Sequence, residues 1–247
     1  MGCCASEQAG LETERRQGSA GKVTKSGAAM GKGGKLPKLK YFSAYGIGEP
    51  IRMMLNHAGV PFEDIHIDGA QFREMKEKGE LPGGQVPIWI DEQGRTFNQV
   101  KAIMIYLGKI HGYYPEDPWD AYEDDWALAN HADLWGLDFG PKFLKDELEQ
   151  SDIDHVVTKF EKWNKVVDKK LQDLGARKFI GGKKPTVGDF MTFSIYCNFV
   201  FNENTRSPAM RAKLQALANE TPAVKAYVER MQEENKAHLA NRHKSSL

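Results

Sequence analysis

Two different spacings of apolar residues divide the chain near residue 115. Between residues 39 and 110, short apolar runs typical of strands alternate with the spacing of three and four residues typical of helices. After Trp119 only the helical spacing remains, and the run from Phe190 to Phe201 is apolar on nearly every side. Such a run predicts a helix at the centre of a second domain. We therefore expect a small α/β domain followed by an all-helical domain.

The first of these parts has the predicted element order βαβ followed by ββα. Gly46 to Pro50 opens its first helix, and Gly59 to Pro61 ends that helix. Asp91 to Gly94 predicts a hairpin turn between the last two strands. In the helical part, Thr186 followed by Asp189 three residues later predicts the start of the central helix, because this spacing forms a capping box.

Prolines and changes of composition predict the boundaries of these parts. Pro115 and Pro118 indicate a linker over residues 113–119. The α/β domain then covers residues 37–112, and the helical domain covers residues 120–240. From about Ala237 onward the residues are polar, and we expect this end to be frayed.

Residues 1–36 differ from the rest in composition. They are rich in glycine, serine, alanine and lysine, contain no aromatic residue and show no periodic apolar pattern. Such a segment cannot bury enough apolar surface to offset the entropy of ordering it. We predict a flexible tail, with a net charge of about +3 that attracts it weakly to anionic lipid.

The first six residues of this tail match a lipidation signal. Met-Gly-Cys-Cys-Ala-Ser fits M-G-x-x-x-[ST], which directs myristoylation of Gly2 once Met1 is removed. Cys3 and Cys4 lie where palmitate is commonly added, and a second acyl chain makes membrane attachment stable. The sequence therefore predicts a peripheral, lipid-anchored protein on the cytoplasmic face of a membrane. A chance match on an unmodified tail is the alternative.

Composition argues against several other classes. The chain has 34 Lys and Arg against 34 Asp and Glu, whereas nucleic-acid binding domains usually carry a basic excess. Three cysteines cannot form a disulfide framework, and no spacing of Cys and His indicates a zinc site. The apolar run from Phe190 to Phe201 is too short to span a bilayer. We predict no metal and no nucleic-acid partner.

Four motifs in fixed order resemble the cytosolic glutathione S-transferases. Lys40 to Arg52 resembles the family's tyrosine-phenylalanine start, and Leu81 to Pro87 resembles its PFGQLP turn. Phe97 to Leu107 resembles QSxAIxRYL, and Phe179 to Phe190 resembles FLxGxxxTxADF. The resemblance covers about residues 36–235 and is closest to the tyrosine-type sigma class, which includes the glutathione-dependent prostaglandin D synthases. It implies a thioredoxin-like N-terminal domain, an all-α C-terminal domain, a homodimer and glutathione as co-substrate.

The resemblance assigns the chemistry to Tyr41. In tyrosine-type members this residue ends the first strand, and its hydroxyl donates a hydrogen bond to the glutathione sulfur, which favours the thiolate. Lowering a thiol pKa by roughly two units corresponds to about 2.7 kcal/mol. The alternative is that Tyr41 is a strand aromatic that only packs in the core, with Tyr45 as a nearby tyrosine outside the motif.

The resemblance also implies contacts to the rest of glutathione. Val86 precedes Pro87, which the family keeps cis, and the main chain of Val86 would pair with the cysteinyl part of the ligand. Gln85 and Gln99 would face its carboxylates and its γ-glutamyl amine. The helix that starts near Gln99 offers free amides to a carboxylate. Ordinary surface polarity is the alternative interpretation of both glutamines.

Of four further positions, two match the family pattern in part and two depart from it. Phe72 and Lys76 match an aromatic donor and a lysine of sigma-like members, although Phe72 cannot donate a hydrogen bond and Lys76 has ordinary surface polarity as its alternative. Val100 stands where the family has a serine that holds the γ-glutamyl carboxylate. Ile47 stands where sigma-like members have an arginine. The absence of one such polar group typically costs about 1–3 kcal/mol of binding.

Two functions therefore remain open from the sequence. The first, which the motifs favour, is a glutathione transferase that conjugates or isomerises a small electrophile with Tyr41 activating the thiol. The second is a non-catalytic scaffold or adaptor of the same fold on a lipid anchor, which Val100 and Ile47 favour. A thioredoxin-type redox protein is disfavoured because no cysteine lies at the first strand–helix turn.

Overall fold

The computed structural model of the protein describes residues 35–143, 145 and 148–245. Four short strands form its one mixed sheet: β1 (Lys38–Phe42), β2 (Glu63–Ile67), β3 (Ile88–Ile90) and β4 (Thr96–Phe97). The strand order is β2-β1-β3-β4. β1 is parallel to β2 and antiparallel to β3, and β3 pairs antiparallel with β4. In β1, Leu39 and Tyr41 lie on the buried face.

Three helices complete the α/β part in the predicted order: α1 (Glu49–His57), α2 (Gly69–Glu77) and α3 (Val100–His111). Pro50 occupies the first turn of α1, as the sequence predicts. The carboxylate of Asp68 caps α2 by accepting hydrogen bonds from Ala70 and Gln71. Gly112 ends α3 in the left-handed conformation, with φ of 75°.

The remaining described chain is helical. Its helices are α4 (Pro118–Leu134), α5 (Gly140–Phe143), α6 (Gln150–Asp173), α7 (Val187–Ile195), α8 (Pro208–Asn219), α9 (Pro222–Glu234) and α10 (Lys236–Asn241). Two π-helical segments, Trp135–Phe139 and Tyr196–Val200, continue α4 and α7. No helix in the described ranges is long and apolar enough to cross a bilayer.

Helix α7 is the central helix of the described fold, as its apolar run predicts. Every residue from Val187 to Val200 is buried. α7 packs against α1 and α3 of the α/β part and against α4 and α9 of the helical part. The predicted capping box is present between Thr186 and Asp189. The two parts of the chain therefore share one hydrophobic core.

The prediction of a frayed C-terminal end was wrong. α10 spans Lys236–Asn241, and the residues after it form hydrogen bonds with both the α/β part and the helical part. The carbonyl of His243 accepts a hydrogen bond from the Tyr45 hydroxyl at 2.9 Å, and the side chain of Asn202 donates to the carbonyl of Ser245 at 3.1 Å. Polar residues stay ordered here because their hydrogen-bonding groups have partners within the fold.

Candidate active site

A cavity of about 430 Å³ lies where the α/β part meets α4 and α7. Five of the predicted glutathione-binding residues line one side of it. Two neighbours from the β1–α1 region line it as well, and residues from α3, α4 and α7 complete the wall. The predicted binding residues in the lining are Phe72, Gln85, Val86, Gln99 and Val100. The β1–α1 region contributes Phe42 and Ile47. The helices contribute Lys101, His131, Ala132, Trp135, Gly136 and Met191.

Gln85 and Gln99 come from separate segments and meet at the cavity. The amide Nε2 of Gln99 donates to Oε1 of Gln85 at 3.3 Å. The Val86–Pro87 peptide bond that follows Gln85 is cis. Both glutamines are exposed, so their amide groups are accessible to a polar ligand.

Gln99 also determines how α3 begins. It is the one non-glycine residue with positive φ, at 68°, among the described residues. It precedes the helix without capping it, and no other side chain caps this end. The first amides of α3 are therefore available to an anion, which the positive end of the helix dipole also favours.

Tyr41 is buried beside the cavity. Its ring packs against Gly46 and Gly48, and a Cβ atom at either glycine would collide with it. The backbone N–H of Ile47 donates to the Tyr41 hydroxyl at 3.2 Å. The guanidinium of Arg52 lies 5.7 Å from the centre of the ring.

The Tyr41 hydroxyl keeps its proton at neutral pH. Burial raises the pKa of Tyr41 to about 12, although the hydrogen bond from Ile47 and the charge of Arg52 act in the opposite direction. The hydroxyl oxygen accepts from Ile47, so its own proton remains available for donation to another group.

Not every predicted site residue lines the cavity. Tyr41 is not among the lining residues, but it contacts two of them: the N–H of Ile47 donates to its hydroxyl, and its ring centre lies 5.5 Å from that of Phe42. Lys76 is outside the lining and lies along Gly84 of the turn that follows α2, its Cε 3.3 Å from the position of a Cβ there. Gly2, Cys3 and Cys4, the predicted lipidation sites, lie outside the described residues.

The sequence analysis missed the wall that α4 contributes. His131 is 2% exposed, and its ring lies parallel to that of Trp135, with 6.2 Å between their centres. Burial, together with the nearby charge of Lys101, lowers the pKa of His131 to about 3. His131 and Trp135 lie four residues apart on one helix face, a spacing from which their proximity was predictable.

The burial of His131 predicts a pH dependence of stability. In the unfolded chain a histidine titrates near pH 6.5, whereas folded His131 does so near pH 3. The unfolded state binds more protons in this window, so stability falls as the pH drops below 6.5. At pH 5 this costs about 2 kcal/mol. Urea unfolding at pH 8 and at pH 5 measures the difference in unfolding free energy between the two pH values. This difference should be about 2 kcal/mol smaller in His131→Leu than in wild type. An equal difference in both proteins would contradict a lowered pKa of His131.

Comparison with known proteins identifies relatives over most of the chain. No protein-family model matches it. Glutathione S-transferase 4 of Caenorhabditis elegans is 30% identical over 162 residues, which span 64% of this chain and 74% of the relative. Hematopoietic prostaglandin D synthase of Gallus gallus is 27% identical over 203 residues, 78% of this chain and 95% of the relative.

Solved structures show the same fold. The structure of NaGST-2 matches with a TM-score of 0.72 at 20% identity, covering 86% of this chain and 99% of that one. Prostaglandin synthase D of Nilaparvata lugens matches with a TM-score of 0.68 at 24% identity, covering 85% and 99%. These matches confirm the predicted thioredoxin-like domain followed by an all-α domain.

The chemistry of the described residues is consistent with these relatives. No group of three or more His, Cys, Asp or Glu in the described part of the chain could hold a metal ion. The cavity combines amide groups with an uncapped helix start, and its lining residue Ile47 donates a hydrogen bond to the protonated Tyr41 hydroxyl. The relatives above establish that the chain belongs to the glutathione S-transferase family and is a glutathione transferase.

Proposed function

We propose that this protein binds glutathione in the cavity described above and uses Tyr41 to stabilise the thiolate for attack on, or isomerisation of, a small electrophile. One observation carries the proposal. Five residues from three separate segments of the chain, chosen from sequence motifs alone, line the same cavity. The names of two relatives, a glutathione S-transferase and a prostaglandin D synthase, support glutathione-dependent chemistry on a small molecule.

The proposed role of Tyr41 follows from its hydrogen bond. A free thiol has a pKa near ~8.5, and its thiolate is the nucleophile. The amide of Ile47 donates to the Tyr41 oxygen and polarises the hydroxyl, which makes it a better donor to sulfur. Such a donor, fixed in place before the reaction, stabilises the thiolate without reorganising. For this contact the glutathione sulfur must lie near Ile47, the cavity-lining residue whose amide donates to the Tyr41 hydroxyl.

The other proposed contacts use groups around the start of α3. Gln85 and Gln99 offer amides to the γ-glutamyl end of glutathione, and the main chain of Val86 faces the cysteinyl part. Lys101, the second residue of α3, also lines the cavity. Its ammonium would donate a charge-assisted hydrogen bond to a carboxylate, which compensates in part for the hydroxyl that Val100 does not provide.

Val100 provides a direct test of ligand orientation. Val100→Ser restores a hydroxyl at the first position of α3, and we expect glutathione to bind about tenfold more tightly, which corresponds to about 1.4 kcal/mol. Titration calorimetry with glutathione measures the change. Val100→Ala is the matched control, because it removes the same bulk without adding a hydroxyl. Equal affinities for the serine and alanine variants would show that this position does not face the carboxylate.

We also propose that the protein forms a homodimer. Trp119 and Tyr122 on α4 are 60% and 54% exposed, and Val166 on the neighbouring α6 is 48% exposed. Exposed large apolar side chains on adjacent helices support a protein–protein contact. One solved structure of this fold, from Necator americanus, is described as monomeric Na-GST-3, so the fold alone does not determine association.

We also propose that the protein carries a lipid anchor, on the basis of the sequence motif at residues 1–6. Acylation of Gly2 together with Cys3 or Cys4 would hold the transferase at a membrane surface. In cells, Gly2→Ala and the double variant Cys3→Ser/Cys4→Ser should move the protein from the membrane fraction to the soluble fraction. Gly10→Ala, a glycine of the same segment outside the motif, is the control. Equal fractionation of all four proteins would contradict anchoring.

A further inference from the structure

A segment near the C-terminal end binds the turn that follows the first strand. We call residues 236–245 the C-terminal strap and residues 45–49 the β1–α1 turn. The Tyr45 hydroxyl donates to the carbonyl of His243 at 2.9 Å and accepts from the amide of Ser245 at 3.3 Å. Nε2 of His238 lies 2.8 Å from the buried carboxylate of Glu49. The strap is therefore joined to both ends of the turn.

Arg242 makes the largest set of these contacts. Its guanidinium lies 3.8 Å from the centre of the Tyr45 ring. Nη1 donates to Glu49 and to the side-chain oxygen of Asn198, each at 3.1 Å, and Nη2 donates to the carbonyl of Cys197 at 3.2 Å. The Arg242 side chain is only 11% exposed. A planar group with five fixed N–H donors can make these contacts at the same time, whereas an ammonium cannot.

A chain of contacts connects Arg242 to Tyr41 through Asn198, Gly46 and Ile47. Nδ2 of Asn198, which Arg242 orients through the amide oxygen, donates to the carbonyl of Gly46 at 3.3 Å. Gly46 has φ of 38° and packs on the Tyr41 ring. The next residue, Ile47, donates its N–H to the Tyr41 hydroxyl and lines the cavity.

We propose that Arg242 is a positioning residue that, through Asn198 and the β1–α1 turn, holds the Ile47 amide against the Tyr41 hydroxyl and so sets the thiolate-stabilising strength of the site. The inference rests on the proposed function of Tyr41. It assigns a role in thiol activation to a residue on the far side of the turn from the cavity, since Arg242 is not among the lining residues.

A second arginine already secures the fold of this region. Arg52 donates to the carbonyls of Phe42 and Ala44, and it pairs with Glu49 and Asp64. The ends of the turn are therefore held without Arg242. Its middle, Gly46 and Ile47, is held to the helical part through Asn198. Loss of Arg242 should thus shift the amide of Ile47 more than it disturbs the fold.

The test measures the pKa of the enzyme-bound glutathione thiol, from thiolate absorbance and from the pH profile of turnover with an aryl halide. In Arg242→Met we expect the pKa of the bound thiol to rise by about one unit. At pH values below the pKa of the wild-type site, turnover should therefore be about tenfold lower than in wild type. The two rates should converge at alkaline pH, where the thiol is ionised in both proteins, and KM for glutathione should stay unchanged. Arg242→Lys should lie between wild type and Arg242→Met.

Controls separate this role from a general loss of structure. Lys236→Met removes an exposed cation of the same strap, which pairs with Glu233, and should behave as wild type. Circular dichroism shows whether each variant folds. If Arg242→Met does not fold, the thiol pKa of Arg242→Lys is used for the test, because lysine keeps a positive charge beside Glu49. An unchanged thiol pKa, or a rate loss equal at every pH, would overturn the inference. A wild-type protein that does not lower the thiol pKa would refute the proposed function itself.

Discussion

Tyr41→Phe should lower turnover of an aryl halide with glutathione by tenfold or more at neutral pH, while glutathione binding changes little. The variant keeps the ring that packs against Gly46 and Gly48, so the fold should be unaffected. It removes only the hydroxyl that accepts from Ile47. Loss of one fixed donor to a developing anion typically costs a factor of about ten to a thousand in rate. Steady-state kinetics and titration calorimetry on the same preparations measure both quantities.

Tyr114→Phe is the matched control for this experiment. Its hydroxyl donates to Asp125 at 3.0 Å on the surface of the helical part, and Tyr114 does not line the cavity. The control should retain wild-type turnover. Equal rates for wild type and Tyr41→Phe would remove Tyr41 as the activating group. Glutathione binding with no turnover in either protein would favour the scaffold function.

Asp189→Ala should be the most destabilising single substitution proposed for this chain. The Asp189 carboxylate is fully buried and accepts hydrogen bonds from the amides of Ile180 and Thr186, each at 3.0 Å, and from the Thr186 hydroxyl. Alanine leaves the amides of Ile180 and Thr186 without this acceptor at the start of the central helix, whereas the Thr186 hydroxyl still donates to Asp124. The missing cap and the unsatisfied amides together cost about 3–5 kcal/mol. That is a large share of the stability of an ordinary domain.

Asp189→Asn provides the comparison. The amide oxygen still accepts from one of the two backbone donors, so this variant should lose clearly less stability than alanine. Burial raises the pKa of Asp189 to about 6, above the 3.8 of the unfolded chain. The folded state therefore binds more protons in this window, and the carboxylate contributes less stability as the pH rises through it. Urea unfolding at pH 7 should rank wild type above asparagine and asparagine above alanine; equal losses would contradict the capping role.

The parts of the site that the sequence predicted are those whose position depends on the local main chain. Gln85 and Val86 belong to a turn marked by glycine and proline, and Gln99 precedes a helix with a clear apolar pattern. Their neighbours in the chain place them. Tyr41 lies near the end of the first strand, as predicted, but its burial depends on how Gly46 and Gly48 of the β1–α1 turn pack over its ring.

The parts that were missed depend on contacts between distant segments. His131 and Trp135 line the cavity because of how α4 packs against the α/β part. The apolar pattern of one helix does not show which other element that helix packs against. The strap was predicted to fray because it is polar. Its partners are a buried carboxylate, Glu49, and the hydroxyl of Tyr45, which lie about 190–200 residues earlier in the chain. Polarity alone does not distinguish a solvated end from one that neutralises a buried charge.

The complete burial of α7 has a consequence for how this protein unfolds. The segment from Val187 to Val200 packs on helices of both parts of the chain and exposes none of its residues. Neither part can open to solvent without uncovering the apolar face that the other part covers. The two parts should therefore behave as one cooperative unit, with amides of α1 and α7 exchanging hydrogen only in the same global opening. The predicted linker is shorter in the structure, because α4 already begins at Pro118. Fragments cut between α3 and α4, at residues 113–117, would each expose an apolar surface and associate with one another rather than persist as independent domains.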